Sequence, residues 1–307
     1  MHDVLILSLV DGDECGRRVP VLHCADALRE AGARVETFVA GSDLEIDEVL
    51  GRLDGPPRPD GLVFPDADMK TRLVVAVESD GQLRHVMRRL VRRYAPPPSK
   101  RPNDLPANRT LPDLPAIGIL PLDAGTAADL AAQLGLPRTP AEVAAAVLGD
   151  ARRKLDLLRH DGGSVTLDGV LLGATDDHGT PLAWRGRIEV DDAVLSQGSD
   201  PIVALSVANA GGTATLDGLP LVTAADPSDG LIDVAIAVPV AHKPLFGKQR
   251  LRYEVRRARG RAVAVTPHET ELPYLDDGVA GTLTRKRSWW IEPGAWSVYT
   301  ASGRNEP

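Results

Sequence analysis

The sequence predicts an N-terminal α/β domain built on an open, three-layer parallel sheet, followed by a larger β-rich, sandwich-like domain. Three observations predict it. Up to about residue 150, short apolar runs alternate with amphipathic helical stripes, the pattern of a parallel sheet with crossover helices. From about Leu155 the helical period gives way to short alternating runs punctuated by Gly, Asp and Pro, the pattern of antiparallel β structure. The chain has 307 residues, enough for two domains of ordinary size, each with its own core.

The elements follow in order. Asp3–Leu9 is a short apolar run of the kind buried in a parallel sheet. Val19, Leu22, Cys24, Ala25 and Leu28 form a helical stripe that ends at Gly32. Val35–Val39, Leu62–Phe64 and Leu73–Val77 read as strands, and Leu83–Tyr94 as a helix whose Arg88, Arg89, Arg92 and Arg93 form an exposed basic face. Ala95–Ala116 is proline-rich, which forbids a helix or a central strand and predicts an exposed insertion. Ile117–Leu120 is a buried strand, followed by helices at Thr126–Leu134 and Pro140–Leu148, the second ended by Gly149. Beyond Leu155, strands are expected at Val165–Leu172, Arg187–Val190, Ile202–Ala208, Leu231–Val238, Arg261–Thr266 and Ser288–Ile291.

Composition excludes several classes of function. Hydrophobic residues are 43% and charged residues 25%, as in an ordinary soluble protein. A net charge of −8 argues against a general nucleic-acid binder. Two cysteines, Cys15 and Cys24, make neither a disulfide framework nor a zinc site, and the seven histidines show no ligand spacing. The N-terminus lacks the basic flank of a signal peptide, so a cytoplasmic location is expected, with any membrane contact peripheral. The locally basic stretch Lys243–Arg261 reads as a solvated strand and turn, or as a dock for anionic headgroups.

Four segments carry chemistry. Ile117–Leu136, IGILPLDAGTAADLAAQLGL, is a strand, a Gly125-Thr126 turn and a helix, which aims backbone N–H groups at an anion. Leu73–Val77 followed by Glu78-Ser79-Asp80-Gly81-Gln82 and a helix repeats that design. Asn209, Gly211 and Gly212 precede a run from Ala225 that contains Asp229, Gly230, Leu231 and Asp233. LPYLDDGVAG places Asp276 and Asp277 before Gly278. In chain order the segments resemble the diacylglycerol kinase catalytic family, which has Gly-Gly-Asp-Gly-Thr, then Gly-Thr-Gly/Ala-Asn-Asp, then an Asn and a glycine pair before Asp-Gly-Leu-x-Asp-Val, then Asp-Gly-Glu. The chain departs from it at Glu78, Ser79 and Gln82, at Ala128 in place of Asn, and at Val279 in place of Glu.

The resemblance implies a nucleotide-binding domain of residues 1–124, joined by the C-terminal segment 293–307, and a second domain of residues 125–292 carrying the acceptor site, with the active site in the cleft between them. It implies ATP and Mg²⁺ as cofactors and a lipid hydroxyl, by default that of diacylglycerol, as acceptor. Asp80 would organise metal and phosphates, and Gly81, Gly125 and Thr126 would form the phosphate-side turns. Asp277 would be the general base, and Asp229 would lie at a metal site. The partners expected are the lipid substrate and an anionic membrane surface, without nucleic acid, and a homodimer is possible. The altered motifs keep open a catalytically inactive pseudokinase that binds lipid or nucleotide. An enzyme of the NAD kinase type is disfavoured, because no Asn-Glu pair for a nicotinamide ribose is found.

Overall fold

The computed structural model describes residues 2–10, 19–123, 129–211, 214–216, 219–222, 225–242, 250–268 and 271–301. The chain divides into two compact units, Met1–Leu155 with Glu292–Pro307, and Asp156–Ile291. The boundary expected after residue 124 thus falls inside the first unit.

In the first unit the elements are β1 (Asp3–Leu9), α1 (Val19–Glu30), β2 (Arg34–Ala40), α2 (Asp43–Leu50), β3 (Thr71–Val77), α3 (Asp80–Tyr94), β4 (Ala116–Pro121), α4 (Leu130–Gln133) and α5 (Pro140–Leu148). The strands lie parallel in the order β2-β1-β3-β4. Ser297 and Val298 of the chain's last strand pair, also parallel, with Ala116 and Ile117 of β4. Val4, Ile6, Val74 and Leu120 share one core with Cys24 and Leu28 of α1 and Val143 and Val147 of α5. That packing is why residues beyond 124 belong to this unit. The intervening strand residues Leu5, Leu7 and Val75 are also fully buried, and by the two-residue period they face the other side, toward α2 and α3. The sheet is therefore covered on both faces, as its near-continuous apolar strands require.

The local chemistry explains the termini. Gly32 takes φ 86° after α1, and the Ala33 N–H returns to the Leu28 carbonyl, closing a Schellman turn. Thr139 and Glu142 form a capping box at α5. α2 was not expected, yet Ser42 and Glu45 carry its signal: the Glu45 N–H donates to Ser42 Oγ, and Glu45 Oε2 accepts from the Gly41 N–H at 2.7 Å. The strand expected at Leu62–Phe64 is absent. Only an isolated Asp54–Pro65 bridge forms, because Pro65 and the Pro56-Pro57 pair cannot extend a ladder. The proline-rich insertion is exposed through most of its first half, but Arg109, Leu111 and Leu114 are buried, and the Leu114 N–H donates to the Ala295 carbonyl.

Gly118 is where α5 approaches β4 most closely. A Cβ there would overlap Val147 Cγ2 and lie 3.4 Å from Val74 Cγ2. Gly118→Ala is expected to destabilise the protein by about 1–3 kcal/mol through overpacking. A urea midpoint equal to the parent's would show that α5 moves freely on the sheet.

The chain passes between the units in β5 (Arg152–His160) and again in its last strand. The second unit adds β6 (Val165–Thr166), β7 (Gly169–Leu172), β8 (Ala174–Thr175), β9 (Pro181–Leu182), β10 (Gly186–Val190), β11 (Ala193–Gln197), β12 (Ala204–Ala208), β13 (Thr215–Leu216), β14 (Leu219–Pro220), β15 (Ile232–His242), β16 (Arg250–Gly260), β17 (Ala262–Pro267), β18 (Leu272–Asp276), β19 (Val279–Leu283) and β20 (Arg287–Tyr299). One antiparallel sheet runs β16-β15-β12-β7-β18-β19. A second group, β11-β10-β17-β20, is antiparallel through residue Ile291. Leu205, Val207 and Ile236 from the first sheet and Ile188, Val263 and Trp289 from the second share one core, so this unit is a β-sandwich.

Candidate functional site

β3 is buried along almost its whole length and delivers Glu78 and Ser79 to the carboxyl edge of the parallel sheet. Ser79 is the extended residue before α3, and its side chain makes no cap. Gln82 substitutes, its Oε1 accepting from the Glu78 N–H at 2.9 Å. Asp80 opens α3, where a negative charge is favourable against the helix dipole. Its carboxylate accepts from the Leu130 N–H, at 3.2 Å to Oδ1 and 3.1 Å to Oδ2. Asp129 caps the same short helix, accepting from the Ala132 N–H at 2.8 Å, and is paired with Arg138. Asp80 therefore ties the β3–α3 turn to the start of α4.

Glu78, Ser79, Asp80 and Asp129 line a notch of about 10 Å³ with Asp123, Ile119 and Pro121. That is room for about one water, so a phosphate group would sit on its rim. Four carboxylates, Glu78, Asp80, Asp123 and Asp129, border it. The notch lies beside a topological switch point. The connection leaving β1 leads to β2 on one side, and that leaving β3 leads to β4 on the other. Open α/β sheets bind ligands outside the carboxyl ends of such strands. Gly81 is in the first turn of α3, while Gly125 and Thr126 lie outside the described residues.

Asp277 belongs to the second unit. The β18–β19 hairpin turns at Asp277 (φ 48°) and Gly278 (φ 78°), with Asp276 paired to Val279. Two positive φ values in a two-residue loop make a type I′ turn, for which Asp-Gly is among the best sequences. The Asp277 side chain is buried and accepts three backbone N–H bonds: from Leu167 at 2.8 Å, Asp168 at 2.9 Å and Gly169 at 3.1 Å. It thereby holds the link between β6 and β7, which interrupts the single strand expected at Val165–Leu172. The neighbouring Asp276, also buried, accepts from Thr166 Oγ1 at 2.8 Å.

The run from Ala225 is likewise internally bonded. Asp229 accepts from the Leu231 N–H at 2.9 Å and is paired with Arg259, whose Nε also lies 3.1 Å from Asp233. Burial pushes the Asp233 carboxyl above its usual range, with Asp229 adding to the rise, while Arg259 opposes it. The Gly230 N–H donates to Asp156 at 2.7 Å, and Asn209 donates to the carbonyls of Asp156 and Leu167. Among the described residues no group of three or more His, Cys, Asp or Glu could hold a metal ion.

Several arginines of the basic stretches are also paired, while residues 243–249 of the second stretch lie outside the described residues. Arg89, expected on an exposed face, is buried and paired with Asp43 and Asp47 of α2, and Arg93 is paired with Asp54. Hydrogen bonding to His85 holds the Asp43 carboxyl below its usual range. On β16, Arg256 pairs with Asp200 and Glu254, and Arg257 donates to the carbonyls of Leu221 and Pro220. Among the described residues no helix is long and apolar enough to cross a membrane.

Residues 11–160 match the diacylglycerol kinase catalytic domain. No curated protein matches the chain. The fold is similar to that of a diacylglycerol kinase from Bacillus anthracis, with a TM-score of 0.62 at 15% identity over 98% of this chain and 97% of that one. A proposed diacylglycerol kinase of the same organism gives 0.64 at 14% identity over 98% of each chain. Residues 11–160 therefore belong to the diacylglycerol kinase catalytic domain family, and the chain as a whole shares the fold of these two structures.

Proposed function

We propose that the chain is an ATP- and Mg²⁺-dependent lipid kinase that transfers the γ-phosphate to a lipid hydroxyl, with diacylglycerol as the default acceptor. The observation that carries this reading is the position of the Asp80 turn, at the carboxyl edge of β3 and beside the switch point of the parallel sheet. Asp80 fixes the β3–α3 turn against α4, so Gly81 would present its backbone N–H to the phosphates, the role that the family motif also implies for Gly125 and Thr126. The carboxylate donor set suits a hard cation, although it forms no three-ligand cage. Mg²⁺ is commonly held by one or two carboxylates together with substrate phosphates, so it would bind here with the nucleotide and neutralise the charge between phosphates and protein. Asp277 would accept the proton of the attacking hydroxyl, and Asp229 would lie at a second cation site.

A second reading is a pseudokinase of the same fold. It is favoured by the three backbone hydrogen bonds already made by the Asp277 carboxylate and by Val279 in place of a glutamate. One experiment decides. The protein is titrated with ATP, with and without Mg²⁺, while its melting temperature is followed, and γ-phosphate transfer to diacylglycerol in mixed micelles is then measured. The kinase reading expects a Mg²⁺-dependent rise in melting temperature and labelled lipid. A rise without transfer to any bacterial lipid selects the pseudokinase, and no rise at millimolar Mg·ATP removes both nucleotide readings.

A further inference from the structure

A cavity of about 470 Å³ opens at the amino-terminal end of the parallel strands, at the opposite end of β3 from the Glu78–Asp80 turn. His2 and Asp3 at the start of β1, Lys70 and Arg72 at the start of β3, Arg152 and Tyr299 are among its walls. Arg72 is its buried positive charge. The guanidinium donates to the Val147 and Gly149 carbonyls at the end of α5, pairs with Asp150 at 3.1 Å and lies 5.6 Å from the Tyr299 ring centre. The carboxylates at the rim are each paired: Asp3 with Arg34, Asp68 with Lys70, and Asp150 with Arg72.

Two donors remain. Tyr299 is only 5% exposed, yet it lines the cavity, and its hydroxyl makes no hydrogen bond among the described residues. Arg152, an exposed residue, has no carboxylate partner among the described residues, and its guanidinium meets the Met69 thioether, a weak acceptor. A guanidinium and a phenol at the wall of one cavity, with a fixed cation behind them, are donors available to an anion. Met69 itself is held at φ 45°, a conformation that costs energy in a residue other than glycine.

We propose that this cavity binds a small phosphomonoester, its phosphate held by Arg152 and the Tyr299 hydroxyl against the positive charge of Arg72. Guanidinium groups bind phosphate oxygens through paired, charge-assisted hydrogen bonds. The volume lies within the range of small-molecule pockets and leaves room for an organic group beyond the phosphate. The site is separate from the Asp80 turn, so it stands or falls independently of the kinase reading.

The test is calorimetric titration of the full chain with glycerol 3-phosphate, inorganic phosphate and citrate, repeated for Arg152→Ala and Tyr299→Phe. Saturable 1:1 binding is expected for the ester, tighter than for inorganic phosphate or citrate. Arg152→Ala should weaken it at least about tenfold and Tyr299→Phe several-fold, the scale of one lost hydrogen bond to a charged group. Both variants should keep the parent's melting temperature and its response to Mg·ATP. No saturable heat up to about 10 mM ester, a Kd too weak to be specific, overturns the proposal. So does unchanged affinity in Arg152→Ala, or equal affinity for ester and inorganic phosphate, which would mean that the organic group is not recognised.

Discussion

Asp277→Ala is expected to destabilise the second unit by at least about 3 kcal/mol, because it removes three buried hydrogen bonds to a charged acceptor. The substitution strands the N–H groups of Leu167, Asp168 and Gly169, each of which now donates to the carboxylate. An unpaired buried donor costs about 1–3 kcal/mol by itself. It also places a Cβ-bearing residue without a polar side chain at φ 48°, where Asp, Asn and Gly are the tolerated residues. Asp277→Gly separates the two causes, since it relieves the turn but still loses the three bonds. Asp277→Asn keeps the turn and one acceptor oxygen, so it should fall between parent and alanine. Urea midpoints for the three variants, with amide exchange at residues 167–169, check the order. If Asp277→Ala unfolded at the parent's midpoint, the carboxylate would not be holding the β6–β7 link. The result bears on function as well. A loss of phosphate transfer in Asp277→Asn implicates the base only if the variant is as folded as the parent under assay conditions.

The elements most legible in the sequence were those with a local cause. β1, β3 and β4 are apolar runs, and a strand buried on both faces can hardly read otherwise. Thr139, Pro140, Glu142 and Gly149 mark the two ends of α5. The Asp-Gly pair marks the hairpin turn at Asp277. α2 was legible in principle, through Ser42 and Glu45, but it is only two turns long and lies close to Pro56 and Pro57. β20 was expected to stop at Ile291, before Pro293 and Gly294. It runs on to Tyr299, with Gly294 absorbing the irregularity at φ 56°.

What could not be read locally was pairing over distance. Arg88, Arg89, Arg92 and Arg93 of α3 have the spacing of a solvated face, and only the packing of α3 on α2 turns Arg89 toward Asp43 and Asp47, 46 and 42 residues away. The candidate site divides in the same way. The positions of Asp80 and Asp277 follow from strand–turn signals in their own neighbourhoods. Their hydrogen-bond partners, Leu130 for the first and residues 167–169 for the second, depend on chain segments that local reading cannot bring together. That is why Asp277 could be proposed from its motif as a base, while its structural role emerged only from the fold.

Glu292→Ala is the second substitution expected to be severe, at about 3 kcal/mol or more for two lost hydrogen bonds to a buried charged acceptor. Glu292 is completely buried in β20, and its carboxylate accepts from the Thr110 backbone N–H at 2.6 Å and from the Thr110 hydroxyl. One residue earlier, the buried Arg109 pairs with Asp113 at 2.6 Å and lies 3.4 Å from the Gly294 carbonyl, while its Nε and Nη2 have no protein partner. The end of the proline-rich insertion is thus pinned to the last strand by Glu292, by Arg109 and by the Leu114–Ala295 backbone bond. Truncating Glu292 removes the carboxylate that accepts from both the Thr110 N–H and its hydroxyl. Glu292→Gln keeps one acceptor and the side-chain volume, so it should recover at least half of the loss. Because the contact joins the insertion to the strand beside β4, the damage should extend beyond the insertion. Thermal unfolding of the parent and both variants, with limited proteolysis across residues 96–115, provides the check. Faster cleavage at an unchanged melting temperature would mean that the insertion is merely draped on the sheet. A lowered melting temperature with faster cleavage would show that this proline-rich segment is part of the first unit's core.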